Sequence, residues 1–274
     1  MPREKCFVAV QIRTWGMGFL SCVLAAVLID LLTWSRPEAV PVLTLAGQMD
    51  PAKKADNALE VIDHAVQRTQ KHGRLVVDVS FNYPSLGAKP VDSDIERWVT
   101  SLVRAFEEEV GAEHLNESDV EDMPESALNY ALHGAYSVSR PSEDTVSLTF
   151  ELWTYTGGVH GNLDVITLNY SLLSGQRLVL ADLFEDPDAA LGLMSAWSLQ
   201  ILSRRFAGEW DQDMLRNGAS PEVENFAALT LTRDGIVIHF QPYQVAPWAA
   251  GAQEVEMPLE KLADARPLMA IWGR

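Results

Sequence analysis

Residues 145–171 read TVSLTFELWTYTGGVHGNLDVITLNYS, and this stretch decides the fold. Two runs within it, Thr145 to Tyr155 and Leu163 to Ser171, alternate apolar and polar residues and are rich in β-branched and aromatic side chains. This pattern predicts two β-strands. The connection between them is too short for a parallel crossover, so we expect the strands to pair antiparallel.

The flanking sequence adds strands and helices in a mixed order. Strand patterns recur in residues 74–83, 129–139, 176–180, 226–232, 236–241 and 254–257. Apolar residues at helical spacing predict helices in residues 50–73, 95–110 and 186–208. The first of these helices carries Ala55, Leu59, Ile62 and Val66 between Asp50-Pro51 and Gly73. Helices are interspersed with hairpins, so the predicted fold class is α+β: an antiparallel β-sheet packed with two to three helices.

An apolar segment precedes this domain. Residues 15–34 read WGMGFLSCVLAAVLIDLLTW, long enough as a helix to cross a hydrocarbon core, and tryptophans bracket the run. The basic residues in front of it, Arg3, Lys5 and Arg13, place the N-terminus in the cytoplasm by the positive-inside rule. We therefore predict a transmembrane signal anchor in the cytoplasmic membrane, with the bulk of the chain periplasmic or otherwise extracytoplasmic.

Two alternatives to an uncleaved anchor stay open. A signal peptide could be cleaved near Ala39 or Ala46, and the sequence from Phe19 to Cys22 could serve as a lipoprotein signal. All three interpretations export the same part of the chain. The predicted organisation is a cytoplasmic tail, the apolar segment, a linker and an extracytoplasmic α+β domain, in residues 1–14, 15–34, 35–48 and 49–274.

Composition narrows the function classes. The 274 residues include 38 acidic and 21 basic side chains, for a net charge of −17. Such a chain is repelled by nucleic acids and anionic lipids, whereas a basic protein is attracted to it. The two cysteines, Cys6 and Cys22, leave the rest of the chain without disulfides or thiolate metal sites. The histidines show no metal-binding spacing, so we expect no metal and no cofactor.

The first candidate binding loop is the glycine-rich turn of the hairpin. Three glycines within five residues indicate positive φ angles or a close approach by another group. A histidine among them is placed to act as a ligand or a base, although a purely structural turn explains the same pattern. The candidate binding residues here are Tyr155, Gly157, Gly158, His160 and Asn162.

The second candidate loop is QPYQVAPWAAG, residues 241–251. Its prolines exclude regular structure, and an aromatic side chain on a rigid loop is an effective binding anchor. The candidate residues are Tyr243 and Trp248, which would instead close the core if they pointed inward.

These loops carry a family resemblance. YTGGVHGN at 155–162, LNYSLLSGQRLVLADLF at 168–184 and FQPYQVAPWAAGAQEVEMPLEKL at 240–262 resemble the RsiV/PdaC-type extracytoplasmic domain family. That family is DUF3298-like and often carries a DUF4163-like N-terminal part. The resemblance spans about residues 74–263 and is strongest in residues 129–263. It implies an α+β domain without catalysis of its own, and RsiV-like members bind lysozyme.

Three functions follow from these observations. The leading hypothesis is a membrane-anchored envelope domain that is not an enzyme and binds a basic, muramidase-like protein. The second is a peptidoglycan-binding module in which Trp248 and Tyr243 stack on sugar rings and Asn162 and Gln244 are polar partners. The third, least favoured, is a hydrolase with His160 as the base and Asp164 or Asp182 orienting it.

Overall fold

The computed structural model describes residues 59–113 and 128–274. The chain divides into two units, Met1–Lys53 and Lys54–Arg274, and the described residues belong to the second. The strands are β1 Ile62–His72, β2 Leu75–Ser85, β3 Asn129–Ser139, β4 Thr145–Tyr155, β5 Asn162–Ser171, β6 Leu229–Thr232, β7 Gly235–Phe240 and β8 Gln253–Pro258. The α-helices are α1 Lys89–Glu113, α2 Leu180–Leu183, α3 Pro187–Phe206 and α4 Gln212–Gly218. Short 3-10 helices cover Val223–Phe226, Trp248–Ala250, Leu259–Ala265 and Met269–Trp272.

The α+β class is confirmed, but the sheet is not single and not wholly antiparallel. Strands β1 to β5 form one sheet in chain order, and β6 to β8 form a second, three-stranded sheet. Within the larger sheet β2 and β3 pair in parallel, whereas the other neighbours pair antiparallel. The reason lies in α1, which occupies the long connection between β2 and β3 and makes a parallel crossover possible.

The predicted helix in residues 50–73 is wrong over its described part. Residues 62–72 form β1, which pairs antiparallel with β2 from Ile62 opposite Ser85 to His72 opposite Leu75. Gly73, with φ +60°, lies in the hairpin turn and does not end a helix. The helical spacing misled because Ile62 and Val66, four residues apart, lie on one face of a strand as well as on one face of a helix, and the pairing with β2 decides for the strand.

Most other predicted elements are confirmed with small shifts of their ends. Helix α3 begins after Asp186, whose side chain accepts a hydrogen bond from the Ala189 amide at 3.0 Å. The strand expected in residues 176–180 is absent from its described positions, where a single bridge joins Tyr170 to Arg177. The predicted anchor in residues 15–34 lies outside the described residues. Within the described ranges, no helix is long and apolar enough to cross a membrane.

Helix α1 packs against one face of the larger sheet. Trp98 of the helix contacts Phe81 of β2 and Phe150 of β4, with ring centroids 6.1 Å and 4.8 Å away. Asp94 is buried near the start of the helix and accepts hydrogen bonds from the Tyr170 hydroxyl at 2.9 Å and Arg177 Nε at 2.5 Å. The helix is therefore held both by apolar packing and by a buried, charge-assisted network.

The two sheets meet at a buried polar contact, the sheet seam, formed by the side chains of Ser147, Thr149, Asn169 and Thr230. Asn169 Nδ2 donates to the Leu229 carbonyl oxygen at 2.9 Å, and Asn169 Oδ1 accepts from Ser147 Oγ at 2.5 Å. Ser147 Oγ in turn accepts from the Leu231 amide at 3.0 Å. Side chains of the larger sheet thus satisfy backbone groups of β6, as buried polar groups require.

The threonines extend this seam into the small sheet. Thr149 Oγ1 is hydrogen-bonded to Thr230 Oγ1, which lies 2.8 Å from His239 Nε2. His239 is buried, and burial lowers the pKa of its imidazole despite the neighbouring Glu254 carboxylate. Its Nε2 atom is a hydrogen-bonding group between β6 and β7, next to the contact with Thr149 of the larger sheet.

We predict that Asn169→Ala lowers the free energy of unfolding by about 2–3 kcal/mol, because it leaves the buried Leu229 carbonyl without its donor and Ser147 without its acceptor. Urea denaturation followed by circular dichroism measures the change. The control is Asn82→Ala on the exposed face of β2, which should alter stability by no more than about 0.5 kcal/mol. Equal effects of the two substitutions would show that the seam does not hold the sheets together.

Candidate functional site

The glycine-rich turn joins β4 to β5 and has the backbone that its sequence predicts. Gly157 and Gly158 have φ angles of +86° and +95°, which side-chain-bearing residues rarely adopt. The Tyr155 hydroxyl donates a hydrogen bond to the Gly158 carbonyl oxygen at 3.0 Å and so closes the turn on its own first residue. The turn is therefore shaped locally, and His160 at its far end is exposed.

Gly161 serves a different purpose, close packing. A Cβ atom at this position would lie 2.4 Å from Cε2 of Trp153, so only glycine lets the turn fold onto the indole. Trp153 is 39% exposed and lies between two other rings. Its ring centroid is 6.0 Å from that of Tyr155, nearly parallel at 13°, and 5.5 Å from that of His133 on β3.

The second loop, residues 241–251, is fixed by two glutamines. Gln241 Oε1 accepts from the Val165 amide at 2.8 Å and its Nε2 donates to the Val165 carbonyl at 2.7 Å, so the side chain occupies this part of the β5 edge. Gln244 Nε2 donates to the carbonyls of Gly218 and Asn225 at 2.9 Å and 3.0 Å. A Cβ at Gly218 would lie 1.8 Å from the Gln244 carbonyl oxygen, which explains the glycine there.

The aromatic residues of this loop point outward, whereas its aliphatic residues close the core. Val245 and Ala246 are buried, and Tyr243 and Trp248 are each 37% exposed. Tyr243 has φ +68°, a strained conformation for a residue with a side chain. Trp248 follows Pro247 in a short 3-10 helix, closed by the Gly251 amide donating to the Trp248 carbonyl at 2.8 Å.

The two predicted loops converge. The His160 imidazole stacks on the Trp248 indole, with ring centroids 4.1 Å apart and 22° between the planes. His160 Nδ1 donates to the Gly161 carbonyl oxygen at 2.9 Å, which fixes the ring orientation. We call His133, Trp153, Tyr155, His160 and Trp248 the aromatic ledge: ring contacts join the first three in one group and the last two in another, and Gly161, which follows His160, packs on Trp153 between the two groups.

Sequence reasoning missed Trp153 and Gln241. The signal for Trp153 was present, because the alternation of β4 places it on the face opposite to the buried Leu152. No comparable signal existed for Gln241, whose role depends on Val165, a residue 76 positions away. Gln244, a candidate sugar contact from the sequence, is instead engaged with backbone groups.

The polar residues after the turn lie on the other face of the sheet. Asp164 is opposite Leu152 in the β4–β5 register, so its carboxylate is on the side of α1 and away from the ledge. It accepts a hydrogen bond from Asn162 Nδ2 at 2.8 Å, yet desolvation by burial raises its pKa to about 6. Asp182, the other acid considered as a partner of His160, accepts from the Val179 amide at 3.0 Å.

Metal binding receives no support from the described part of the chain. There, no group of three histidine, cysteine, aspartate or glutamate side chains is arranged to hold a metal ion. What the site offers is a row of flat, partly exposed rings on a rigid backbone, an arrangement suited to contact with another molecule.

We predict that Asp164→Asn stabilises the domain above pH 6 and has little effect near pH 4. The folded state raises the pKa of Asp164 from 3.8 to about 6, so the folded chain binds the proton more tightly and loses stability as the pH rises through this window. The variant should gain roughly 2–3 kcal/mol at pH 7.5. Urea denaturation at a series of pH values measures the difference, and a gain that does not vary with pH would contradict the assignment.

Two family models match this chain, and each matched region contains one of the two candidate loops. A family model described as "Deacetylase PdaC" matches residues 71–163, and one described as "Protein of unknown function (DUF3298)" matches residues 181–260. His160 lies in the first matched region and Trp248 in the second. The stacking of His160 on Trp248 is therefore a contact between the two matched regions.

Proteins similar to this chain include a curated relative and two solved structures. Peptidoglycan-N-acetylmuramic acid deacetylase PdaC of Bacillus subtilis is 27% identical over 183 residues, which is 67% of this chain and 38% of the relative. The chain thus spans less than two fifths of that protein's length. A DUF3298 family member from Bacteroides fragilis aligns with a TM-score of 0.58 at 18% identity, covering 78% of this chain and 96% of that one. A DUF3298 family protein from Pseudomonas aeruginosa gives 0.57 at 15% identity, covering 79% and 98%.

These comparisons correct one expectation. The sequence led us to expect that the chain is not an enzyme, yet the curated relative that it resembles is named as a deacetylase. The expectation that the chain is not an enzyme is therefore wrong, because the similar curated protein is named as one. The two structural neighbours, at under 20% identity, show the fold alone.

Proposed function

Because the chain carries a PdaC/DUF3298-type domain, we propose that it binds the glycan strands of peptidoglycan through the aromatic ledge. The observation that carries this proposal is the exposed stack of His160 on Trp248, continued by Trp153 on the larger sheet. The similar deacetylase acts on N-acetylmuramic acid in peptidoglycan, as its name states, which supports a sugar polymer as the ligand.

Flat aromatic rings suit this ligand. A pyranose ring presents an apolar face of C–H groups and a rim of hydroxyls, so it stacks on an indole while its rim stays hydrated. Trp153 and Trp248 each keep more than a third of their surface exposed, although both are held against neighbouring rings. Such exposed indoles retain apolar surface to bury on binding.

The ledge is also preorganised. The hydrogen bonds of Gln241 and Gln244 hold the second loop in place. The short 3-10 helix between Pro247 and Gly251 fixes the backbone that carries the indole of Trp248. A ring that is already oriented loses little conformational entropy when a ligand arrives, so more of the contact energy appears as affinity.

The proposed location agrees with this ligand. Export through the apolar segment of residues 15–34, retained as an anchor or cleaved, would deliver the domain to the compartment that contains peptidoglycan.

A second candidate is a basic protein such as a lysozyme-type muramidase. It is favoured by the net charge of −17, which speeds association with a cationic partner. Binding of that kind weakens as salt screens the charges, whereas stacking of a neutral sugar on an indole depends little on salt.

We predict that Trp248→Ala weakens co-sedimentation of the chain with purified peptidoglycan by about tenfold or more, as expected when an anchoring aromatic is removed. The matched control is Leu173→Ala, which removes an exposed apolar side chain beyond the other end of β5 and should leave binding unchanged. Circular dichroism verifies that both variants are folded.

Two outcomes would overturn the glycan proposal. One is equal sedimentation of Trp248→Ala and the unsubstituted chain. The other is sedimentation that disappears when sodium chloride is raised to about 0.5 M, where charges separated by more than a few ångströms are screened. The latter result, together with binding to lysozyme in a titration, would favour the basic partner.

A further inference from the structure

Strand β1 lies at the edge of the larger sheet and is long for an edge. Its eleven residues, Ile62–His72, pair with β2 in a continuous register without a bulge. In the part of the chain that the structure describes, no strand pairs with its other side. The strand contains no proline and is largely exposed. Such an edge presents unpaired amides and carbonyls and is a template for another strand.

The charges on β1 specify which strand fits. If a second copy of β1 pairs antiparallel about a two-fold axis through Gln67, residues whose numbers sum to 134 lie opposite each other. Asp63 then faces Lys71 of the second copy, and the symmetry repeats this pair. Ala65 faces Thr69, and Arg68, whose guanidinium donates to Glu107 of α1 at 3.1 Å in its own chain, faces the apolar Val66. Opposite charges across strands stabilise a sheet, and this register has no like-charged pair.

The neighbouring registers have less favourable charge pairs. A two-fold axis perpendicular to the sheet keeps each side chain on the same face in both copies. The axis must therefore pass through a residue, and the nearest alternative registers have the axis one residue away, at Val66 or Arg68. An axis at Arg68 would place this guanidinium against its own copy. An axis at Val66 would bring His64 opposite Arg68 and separate Asp63 from Lys71. The pattern of charges therefore selects the axis at Gln67.

We propose that β1 pairs with β1 of a second copy of this chain in this register, forming a ten-stranded sheet across a symmetric dimer. Asp63 accepts a hydrogen bond from the Tyr136 hydroxyl of β3, on the inner side of the sheet, and the remaining acceptor positions of its carboxylate are the ones that Lys71 of the second copy would use. The interaction needs no residue of the aromatic ledge, so it is independent of the ledge's ligand.

The dimer would present both ledges on one side. Thr69 and Lys71 share a face of β1 by alternation. Thr69 donates to Asp78 of β2 at 2.8 Å, and Asp78 lies 3.3 Å from His133, a residue of the ledge. The two-fold axis keeps this face on the same side in both copies. Resting on the proposed glycan binding, this arrangement suits a repeating polymer, which engages two sites at once.

Cysteine cross-linking tests the register in the full chain. With Cys6→Ser and Cys22→Ser in the background, Gln67→Cys places two thiols across the axis, about 4.5–5.5 Å apart between Cα atoms, a separation that suits a disulfide. Thr69→Cys is the matched control, because its two copies would lie about 14 Å apart along the strands. A disulfide-linked dimer for Gln67→Cys and not for Thr69→Cys is expected. No link, or equal links, would overturn the proposal.

Charge reversal gives an independent readout. Lys71→Asp should weaken dimerisation about tenfold, because like charges then face each other twice, and Asp63→Lys with Lys71→Asp together should restore it. Sedimentation equilibrium in neutral detergent measures the dissociation constants. A monomeric chain, or a double variant as weak as the single one, would overturn the proposal. Loss of the dimer without loss of peptidoglycan binding by the ledge would leave the proposed function intact.

Discussion

The seam between the two sheets is the contact on which the site depends. Asn169 and Ser147 of the larger sheet satisfy backbone groups of β6, and Thr149 meets Thr230 beside the buried His239. Because these groups are buried, separating the sheets would expose apolar surface and also leave the paired groups unsatisfied. The seam therefore fixes the small sheet, and with it the loop that carries Trp248, relative to the glycine-rich turn.

The ledge is built from both matched regions. His160 belongs to the part that resembles the PdaC model and Trp248 to the part that resembles DUF3298, so neither part contains the stack by itself. Gln241 links the same two parts by occupying the β5 edge at Val165. A binding surface at such a junction is rigid, because each loop is held by the sheet that carries it and also by its contacts with the other loop.

Sequence patterns predicted most individual elements because burial and periodicity are local. The alternation of β4, the apolar face of α1 and the Asp186 cap of α3 are all visible in short windows. The pattern misled at β1, where a few apolar residues suit a helix and a strand equally and pairing with β2 decides. The parallel pairing of β2 with β3 was also missed, although the helix predicted between these strands allows a parallel crossover; the helix permits this pairing, and only the tertiary structure decides which strand becomes the neighbour.

The sequence alone indicated that two loops, one rich in glycine and one in proline, carry the candidate binding residues His160 and Trp248, and it left open whether these side chains point outward. It also determined the net charge of −17 and the α+β class. Only the tertiary structure decided that these loops meet, with 4.1 Å between the two ring centroids, and that Trp153 and not Gln244 belongs to the same surface. The physical reason is range: glycine and proline act on their own backbone angles, whereas ring stacking and the sheet seam join residues that are distant in the chain.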